Sequence, residues 1–448
     1  MTSNMRFHPA PFVEGVPRPP EARRPTRRRW LARPVLWLWV ALALGGTAMG
    51  QGPSRVTLDQ AIDLALAHNH ALKALRTQVQ QSQAQEVTAN LRPNPVLSWD
   101  SQFLPIFQPS QFSADYMNVN AQNDLGIGYL FERGGKRHWR LQAARDQTAV
   151  TSSLIADAER SLTFSVAQQF VAVQLAQSNL ELARQDLESF QNTVEISQAR
   201  YQAGDMSEAD LLKIKLQLLQ FQTDFSAAQL AKVQALASLR QLLGYDAVPA
   251  DYDVAGELRY EPLSVGLDDV KAKALQERPD LIAARRGVTA SDSQHRLAIA
   301  NGKRDLGASF NYSHLNATNT GSFFFNIQLP IFDRNQGEIA RTRYAQEQAQ
   351  QAEAAATDQV LTDVSNAYEA FRTNQKVVDL YVSGYLQQAQ ESRDISEYAY
   401  KKGAASLLDF LDAERSYRST QLAYRQALAG YVVALEQLKQ AVGTRSLP

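Results

Sequence analysis

Arg200-Tyr201-Gln202-Ala203-Gly204-Asp205-Met206-Ser207-Glu208-Ala209-Asp210-Leu211-Leu212 separates two long proline-free segments, and its pattern returns as Tyr400-Lys401-Lys402-Gly403-Ala404-Ala405-Ser406-Leu407-Leu408-Asp409-Phe410-Leu411. Upstream of the first stretch, Val166, Val173, Leu180, Leu187, Val194 and Tyr201 recur at heptad spacing, beside a companion stripe of Leu162, Ala176, Ala183 and Phe190. Apolar heptads sustained this long make the seam of a supercoiled helix, here of ~65 residues and ~100 Å. Gly204 ends it, and a new stripe starts at once with Leu211, Ile214, Leu218, Phe221, Phe225, Ala228, Ala235, Leu239 and Leu242. Helices joined by so short a turn run antiparallel as a hairpin. Val364, Phe371, Val378 and Tyr385 before Gly403, then Phe410, Ala413, Tyr417, Tyr424 and Leu438 after it, predict a second hairpin.

The duplication reaches beyond the hairpins. Val56-Thr57-Leu58-Asp59, with Ala65-Leu66 and Leu72, returns as Val265-Gly266-Leu267-Asp268, with Ala274-Leu275 and Leu281. Units of about 200 residues are too long for a solenoid, so the chain reads as one duplicated body with pseudo-twofold symmetry. The expected organisation is a signal peptide over 1–50, a first repeat over 51–244, a linker over 245–265, a second repeat over 266–443 and a tail over 444–448. Each repeat opens with a short helix, about 57–91 and 268–300. A β-hairpin follows, about 96–131 and 306–331, and then the long helical hairpin, about 137–243 and 338–442.

The β segments alternate with period two. Leu97, Trp99 and Phe103 alternate with Ser98, Asp100 and Gln102, and Leu125, Ile127, Tyr129 and Phe131 with Gly126 and Gly128. In the second repeat Leu306, Ala308, Phe310 and Tyr312 alternate with Gly307, Ser309, Asn311 and Ser313, then Phe323, Phe325, Ile327 and Leu329 with Asn326 and Gln328. Four strands in two hairpins follow. A soluble sheet packed on the helices would satisfy this pattern, but an exported chain with long rods and aromatic strands of about 9 to 11 residues suits a membrane. Four strands cannot close a barrel, and lipid forbids open edges, so a membrane reading requires several chains to pool their strands.

Composition narrows the function. Lys+Arg and Asp+Glu number 46 each, so no global field recruits nucleic acid. Arg27-Arg28-Arg29, an apolar run from Val35 to Leu44 and Ala48-Met49-Gly50 form an export signal, its run being shorter than the ~20 residues that span a bilayer. With no cysteine, disulfides, thiolate metal sites, cysteine nucleophiles and a cysteine-linked lipid are excluded. Gly134-Gly135-Lys136 fails as a phosphate loop, because Leu130 stands where the first glycine belongs and Arg137 replaces the Ser/Thr. His68 and His70 lie two apart on a helix and point away from each other, so no metal site, cofactor site or catalytic set is expected.

With Arg200-Tyr201-x-x-Gly204-x-x-Ser207-x-x-Asp210-Leu211-Leu212, its echo Tyr400-x-x-Gly403-x-x-Ser406-x-x-Asp409-x-Leu411, and Arg278-Pro279-Asp280-Leu281, the chain resembles the TolC family of outer-membrane efflux ducts over roughly residues 55–443. Phe131-Glu132-Arg133-Gly134-Gly135-Lys136-Arg137 and Leu329-Pro330-Ile331-Phe332-Asp333-Arg334-Asn335-Gln336-Gly337 resemble the strand-to-helix junctions of its CzcC-like heavy-metal branch. The resemblance implies a mainly α fold with membrane β: a homotrimer whose chains each give four strands to a twelve-stranded β-barrel and two helical hairpins to an α-barrel tunnel. It implies a periplasmic adaptor and an inner-membrane pump of the resistance-nodulation-division type as partners, and outer-membrane lipid around the barrel. A type I protein-secretion or drug-efflux duct stays open as an alternative, and a soluble periplasmic coiled-coil scaffold is the rival of another class.

By the same resemblance the tips carrying Tyr201, Gly204, Ser207, Gly403 and Ser406 are the tunnel's periplasmic entrance and the adaptor's docking surface. Tyr400 and Asp210 match the family's gate pair, a tyrosine hydroxyl tied to a carboxylate on the next hairpin. The family's gate arginine is Ala405 here, which leaves Lys401 or Lys402 as substitutes. Asp409 and Asp412, three apart on one helix face, match the acidic entrance; threefold symmetry would turn each into a ring of carboxylates that draws cations. Two such residues on a helix otherwise read as solvated surface.

Overall fold

The computed structural model describes residues 55–447, so the expected signal peptide and Pro448 lie outside the described residues. Helix α1 (Leu58–His68) starts in a capping box: the Thr57 hydroxyl accepts from the Gln60 backbone N–H, and the Gln60 side chain accepts from that of Thr57. It stops at Asn69, whose side-chain oxygen accepts from Leu72 N–H and opens α2 (His70–Ala89). A six-residue helix, α3 (Ala114–Val119), lies between the first two strands of the main sheet. Then come α4 (Lys136–Gln202), 67 residues without interruption, and α5 (Glu208–Leu243). The second repeat gives α6 (Leu267–Glu277) and α7 (Pro279–Asn301), then α8 (Gln336–Leu380), one π-helical turn (Tyr381–Tyr385), α9 (Leu386–Lys401) and α10 (Leu407–Val442).

Two helical expectations are corrected. The single short helix opening each repeat is a pair, broken at Asn69 and at Arg278; Pro279 offers no N–H and keeps Arg278 extended at ψ 120°. The descending helix of the second hairpin is also not continuous, because Gly384 sits at φ 142°, outside the range of an L side chain. The inserted turn rotates the stripe: Val378 is fully buried, whereas Tyr385, its expected heptad successor, is 60% exposed.

Strands β1 (Arg55–Val56) and β4 (Asp253–Val254) pair in parallel and tie the start of the first repeat to the linker, a contact with no periodic signature. Strands β2 (Val96–Gln102), β3 (Gln122–Phe131), β5 (Leu306–Leu315) and β6 (Thr318–Asn326) form one antiparallel sheet in the order β2-β3-β5-β6. The second hairpin turns at Asn316-Ala317, both at positive φ. In the first, residues 103–121 intervene and carry a 3-10 turn and α3. The last strand ends at Asn326, short of the expected Leu329, and pairs from Thr318. The two repeats join through β3 and β5, with Ile127 opposite Phe310.

Three cores hold the helices. Ala61, Ala65, Val166, Phe170, Leu239 and Leu243 pack in the first repeat, together with Tyr252 and Val254 of the linker. Val270, Ala274, Val364, Phe371, Tyr431 and Leu438 pack in the second. Phe190, Ile214 and Phe221 of the first hairpin meet Tyr400, Leu407 and Phe410 of the second near the tips.

Candidate functional site

The hairpin tips are built alike. Gly204 and Gly403 adopt φ 82° and 75°, and the next residues, Asp205 and Ala404, donate back to the carbonyls of Arg200 and Ala399 at 2.9 and 2.8 Å. This is the left-handed glycine cap that ends a helix. No atom lies within 4 Å of a Cβ added at either glycine, so backbone conformation alone demands them. Ser207 then caps α5 and Ser406 caps α10, each hydroxyl accepting from the backbone N–H of the aspartate three residues on, Asp210 or Asp409.

Each residue singled out from sequence has a definite place. Tyr201 is exposed at the end of α4. Tyr400 is buried, its ring stacked on Phe410 with centroids 5.2 Å apart, and the Arg200 guanidinium lies 5.5 Å from its centroid and donates to its carbonyl at 3.3 Å. The buried Tyr400 hydroxyl finds no hydrogen-bond partner among the described residues. Asp210 is occupied by Ser207 Oγ at 2.9 Å and Lys213 Nζ at 3.2 Å, and these two hydrogen bonds hold its carboxyl below the usual range. Within one chain, then, Tyr400 and Asp210 do not bond to each other.

Asp409 and Asp412 are both exposed on the first turns of α10. They are not equivalent. Asp409 accepts from the Ser406 hydroxyl at 2.7 Å and the Ser406 N–H at 3.2 Å, which closes a capping box, whereas Asp412 bonds to none of the described residues. Of the lysines beside Ala405, Lys401 pairs with Glu397 at 2.6 Å and Lys402 lies over the Tyr398 ring at 5.7 Å.

Sequence reasoning missed a layer of charge between the two hairpins. Arg418 of α10 reaches Asp224 of α5 at 2.5 Å and Asp186 of α4 at 3.4 Å, with Phe221 beneath its guanidinium at 5.0 Å. Glu414 lies buried beside it. Leu407, Phe410 and Glu414 follow the three-and-four spacing of a buried stripe, and that was the available signal. Among the described residues no group of three His, Asp or Glu side chains comes together as a metal site.

Comparison with known proteins places this architecture. A family model described as outer membrane efflux protein matches residues 61–245 and 271–444, one segment per repeat. The cobalt-zinc-cadmium resistance protein CzcC of Cupriavidus metallidurans is 24% identical over 402 residues, covering 87% of this chain and 90% of its own. The pyoverdine export outer membrane protein OpmQ of Pseudomonas putida is 24% identical over 435 residues, covering 92% and 89%. A crystal structure of a membrane protein from Pseudomonas aeruginosa superposes with a TM-score of 0.73 at 21% identity, over 86% of this chain and 92% of that one.

Proposed function

The chain belongs to the outer membrane efflux protein family, and from that premise we propose that it is the exit duct of a tripartite system, passing metal cations from an inner-membrane pump and a periplasmic adaptor to the exterior. The observation that carries this reading is the sheet. Leu97, Ile127, Phe310 and Phe323 form one cross-strand row, and Trp99, Leu125 and Tyr312 the next on the same face; Ser98, Gly126, Asn311 and Ser322 lie on the other. Trp99 and Phe323 are 76% and 74% exposed, so the apolar face has no cover in the chain. Strands β2 and β6 end the sheet with unpaired edges, which hydrocarbon does not tolerate.

Three chains pooling four strands each resolve both problems, closing the edges and turning the aromatic face to lipid. The helices support the same assembly. Leu212, Leu216, Leu219, Leu230 and Val233 lie exposed along α5 at one edge, and Tyr385, Ile395 and Tyr398 at the other, so each edge can cover its neighbour's. No described helix is long and apolar enough to cross a membrane.

At the mouth, three copies of Asp412 and of Asp409 would ring the entrance and favour cations. Passage is passive, and the metal assignment follows the likeness to CzcC, named for cobalt, zinc and cadmium resistance. The test is conductance of the purified protein in planar bilayers, wild type against Asp412→Asn and the Asp409→Asn/Asp412→Asn pair. Cation preference should weaken stepwise; unaltered selectivity in the pair removes the ring, and no conductance from folded trimers removes the pore.

A further inference from the structure

Glu414 is 9% exposed, at the wall of an open groove that Phe221, Asp412 and Arg418 also line, and its carboxylate makes neither a hydrogen bond nor an ion pair with any described residue. It faces Asp186 from α4, Arg393 and Glu397 from α9, and Arg418 from its own helix. None of these is free to neutralise it. Arg418 is committed to Asp224 of α5, and Arg393 Nε pairs with its neighbour Asp394 at 3.0 Å while the guanidinium lies over the Tyr417 ring at 4.6 Å; Glu397 is itself an acid, held by Lys401. Arg425, on the far side of Asp186, donates to Ser178 and Gln421. Asp186, 7% exposed, meets Arg418 Nε through its Oδ2 at 3.4 Å, and that oxygen accepts no hydrogen bond. Two largely buried carboxylates thus lie where the two hairpins meet, Glu414 without an ion-pair partner and Asp186 on a guanidinium whose shorter bond is to Asp224.

An ionised carboxylate without partners is costly away from water. Relief comes either from a proton or from a parting of the helices that admits more solvent than the groove supplies. We infer that Glu414 and Asp186 form a proton-dependent clasp between the hairpins: protonated Glu414 lets α10 seat closely against α4 and α9, and its ionisation loosens that seating so that the tips separate more readily. The duct reading enters only in what separated tips would do, namely open the tunnel.

Burial pushes the Glu414 carboxyl up to about 7, with Arg393 and Arg418 pulling against it and Asp186 and Glu397 adding to it. Burial likewise raises Asp186, against the pull of Arg418, Arg425 and Arg393. A carboxylate whose value is raised in the packed state stabilises that state fully below its solvated range and ceases to do so as pH climbs through the raised value. If the parted state hydrates Glu414, the closed-to-parted ratio falls about tenfold per protomer from about pH 6 to about pH 8.

Hydrogen exchange of the full-length protein in detergent, read over residues 407–425 and corrected for the intrinsic rate, tests the clasp without needing a pore. Wild-type protection should drop about tenfold between those pH values, and Glu414→Gln should keep its acid-like protection at both. Asp186→Asn should move the midpoint lower by removing a repulsive neighbour. Protection that ignores pH in the wild type, an equal pH response in Glu414→Gln, or a Glu414→Gln protein less stable than wild type at alkaline pH would each overturn the clasp. In bilayers wild-type opening should rise toward alkaline pH and Glu414→Gln should not; silence from every form would speak against the duct, leaving the exchange result to judge the clasp.

Discussion

The Ser406 hydroxyl donates to Asp409 at 2.7 Å while accepting from the Asp409 backbone N–H at 3.2 Å, so the first carboxylate of the proposed acidic mouth is also the lid of a helix cap. Asp412, one turn on, carries no such duty.

That asymmetry separates selectivity from stability. Ser406→Ala should cost about 1 kcal/mol in thermal unfolding of the trimer while leaving ion selectivity near wild type. Asp409→Ala should lower both stability and cation preference, and Asp412→Asn the preference alone. A stability loss in Asp412→Asn matching that of Asp409→Ala would contradict the division of labour.

A second prediction concerns Arg278, 3% exposed, which donates to Asp280 at 2.5 Å, to Asp363 at 2.9 Å and to the Ala441 carbonyl, fastening α7, α8 and the end of α10 together. Removing it strands two partly buried carboxylates, so Arg278→Ala should cost about 3 kcal/mol, measured by denaturant or thermal melting. Burial tends to raise the Asp280 carboxyl, but the Arg278 hydrogen bonds and charge outweigh it and hold the group below its usual range. A lowered carboxylate stabilises above its ordinary titration and loses that contribution as pH falls through the depressed value. Acid should therefore erode wild-type stability in the low-pH range, with the Arg278→Ala variant less sensitive there.

The third rests on Gly384. Because only Gln388 Nε2 lies within 4 Å of an added Cβ, at 3.9 Å, the penalty of Gly384→Ala is one of backbone alone, about 1–3 kcal/mol. A π turn is the signature of a one-residue insertion. Deleting Gly384 should thus regularise the helix and cost less than substituting it. Circular dichroism melts of the two variants decide, and a deletion costlier than the substitution would show that the turn is built into the packing.

Much of this fold was readable in the sequence because long helices repeat their instructions. Val166, Val173, Val364 and Phe371 sit on the heptad stripes and are almost wholly buried, and Gly204 and Gly403 end their helices where the stripes break. What escaped depends on a single residue or on a partner distant in sequence. The breaks at Asn69 and Arg278 were hidden by apolar residues that keep their spacing across them. Tyr385 kept its heptad interval from Val378, yet one inserted π residue turned it to solvent. The pairing of β3 with β5 joins segments from different repeats, which alternation within a strand does not encode. The Asp186–Glu414 layer was missed because charged residues on helices are read as surface unless their place in the buried stripe is weighed.

The fourth prediction tests which face of the sheet meets lipid. Phe323 and Ser322 are neighbours on β6 pointing to opposite faces, the first in the aromatic row beside Phe310, with ring centroids 5.0 Å apart, and the second opposite Asn311. A lysine on a barrel's lipid face costs roughly 2–4 kcal/mol near the bilayer midplane, whereas one in a watery lumen costs little. Phe323→Lys should therefore cut the yield of heat-modifiable trimer in the outer-membrane fraction severalfold, and Ser322→Lys should assemble normally while shifting conductance toward anions. The reverse pattern would turn the barrel inside out, and equal tolerance of both would mean that the sheet never enters a membrane, since only hydrocarbon on one side and water on the other can tell these adjacent residues apart.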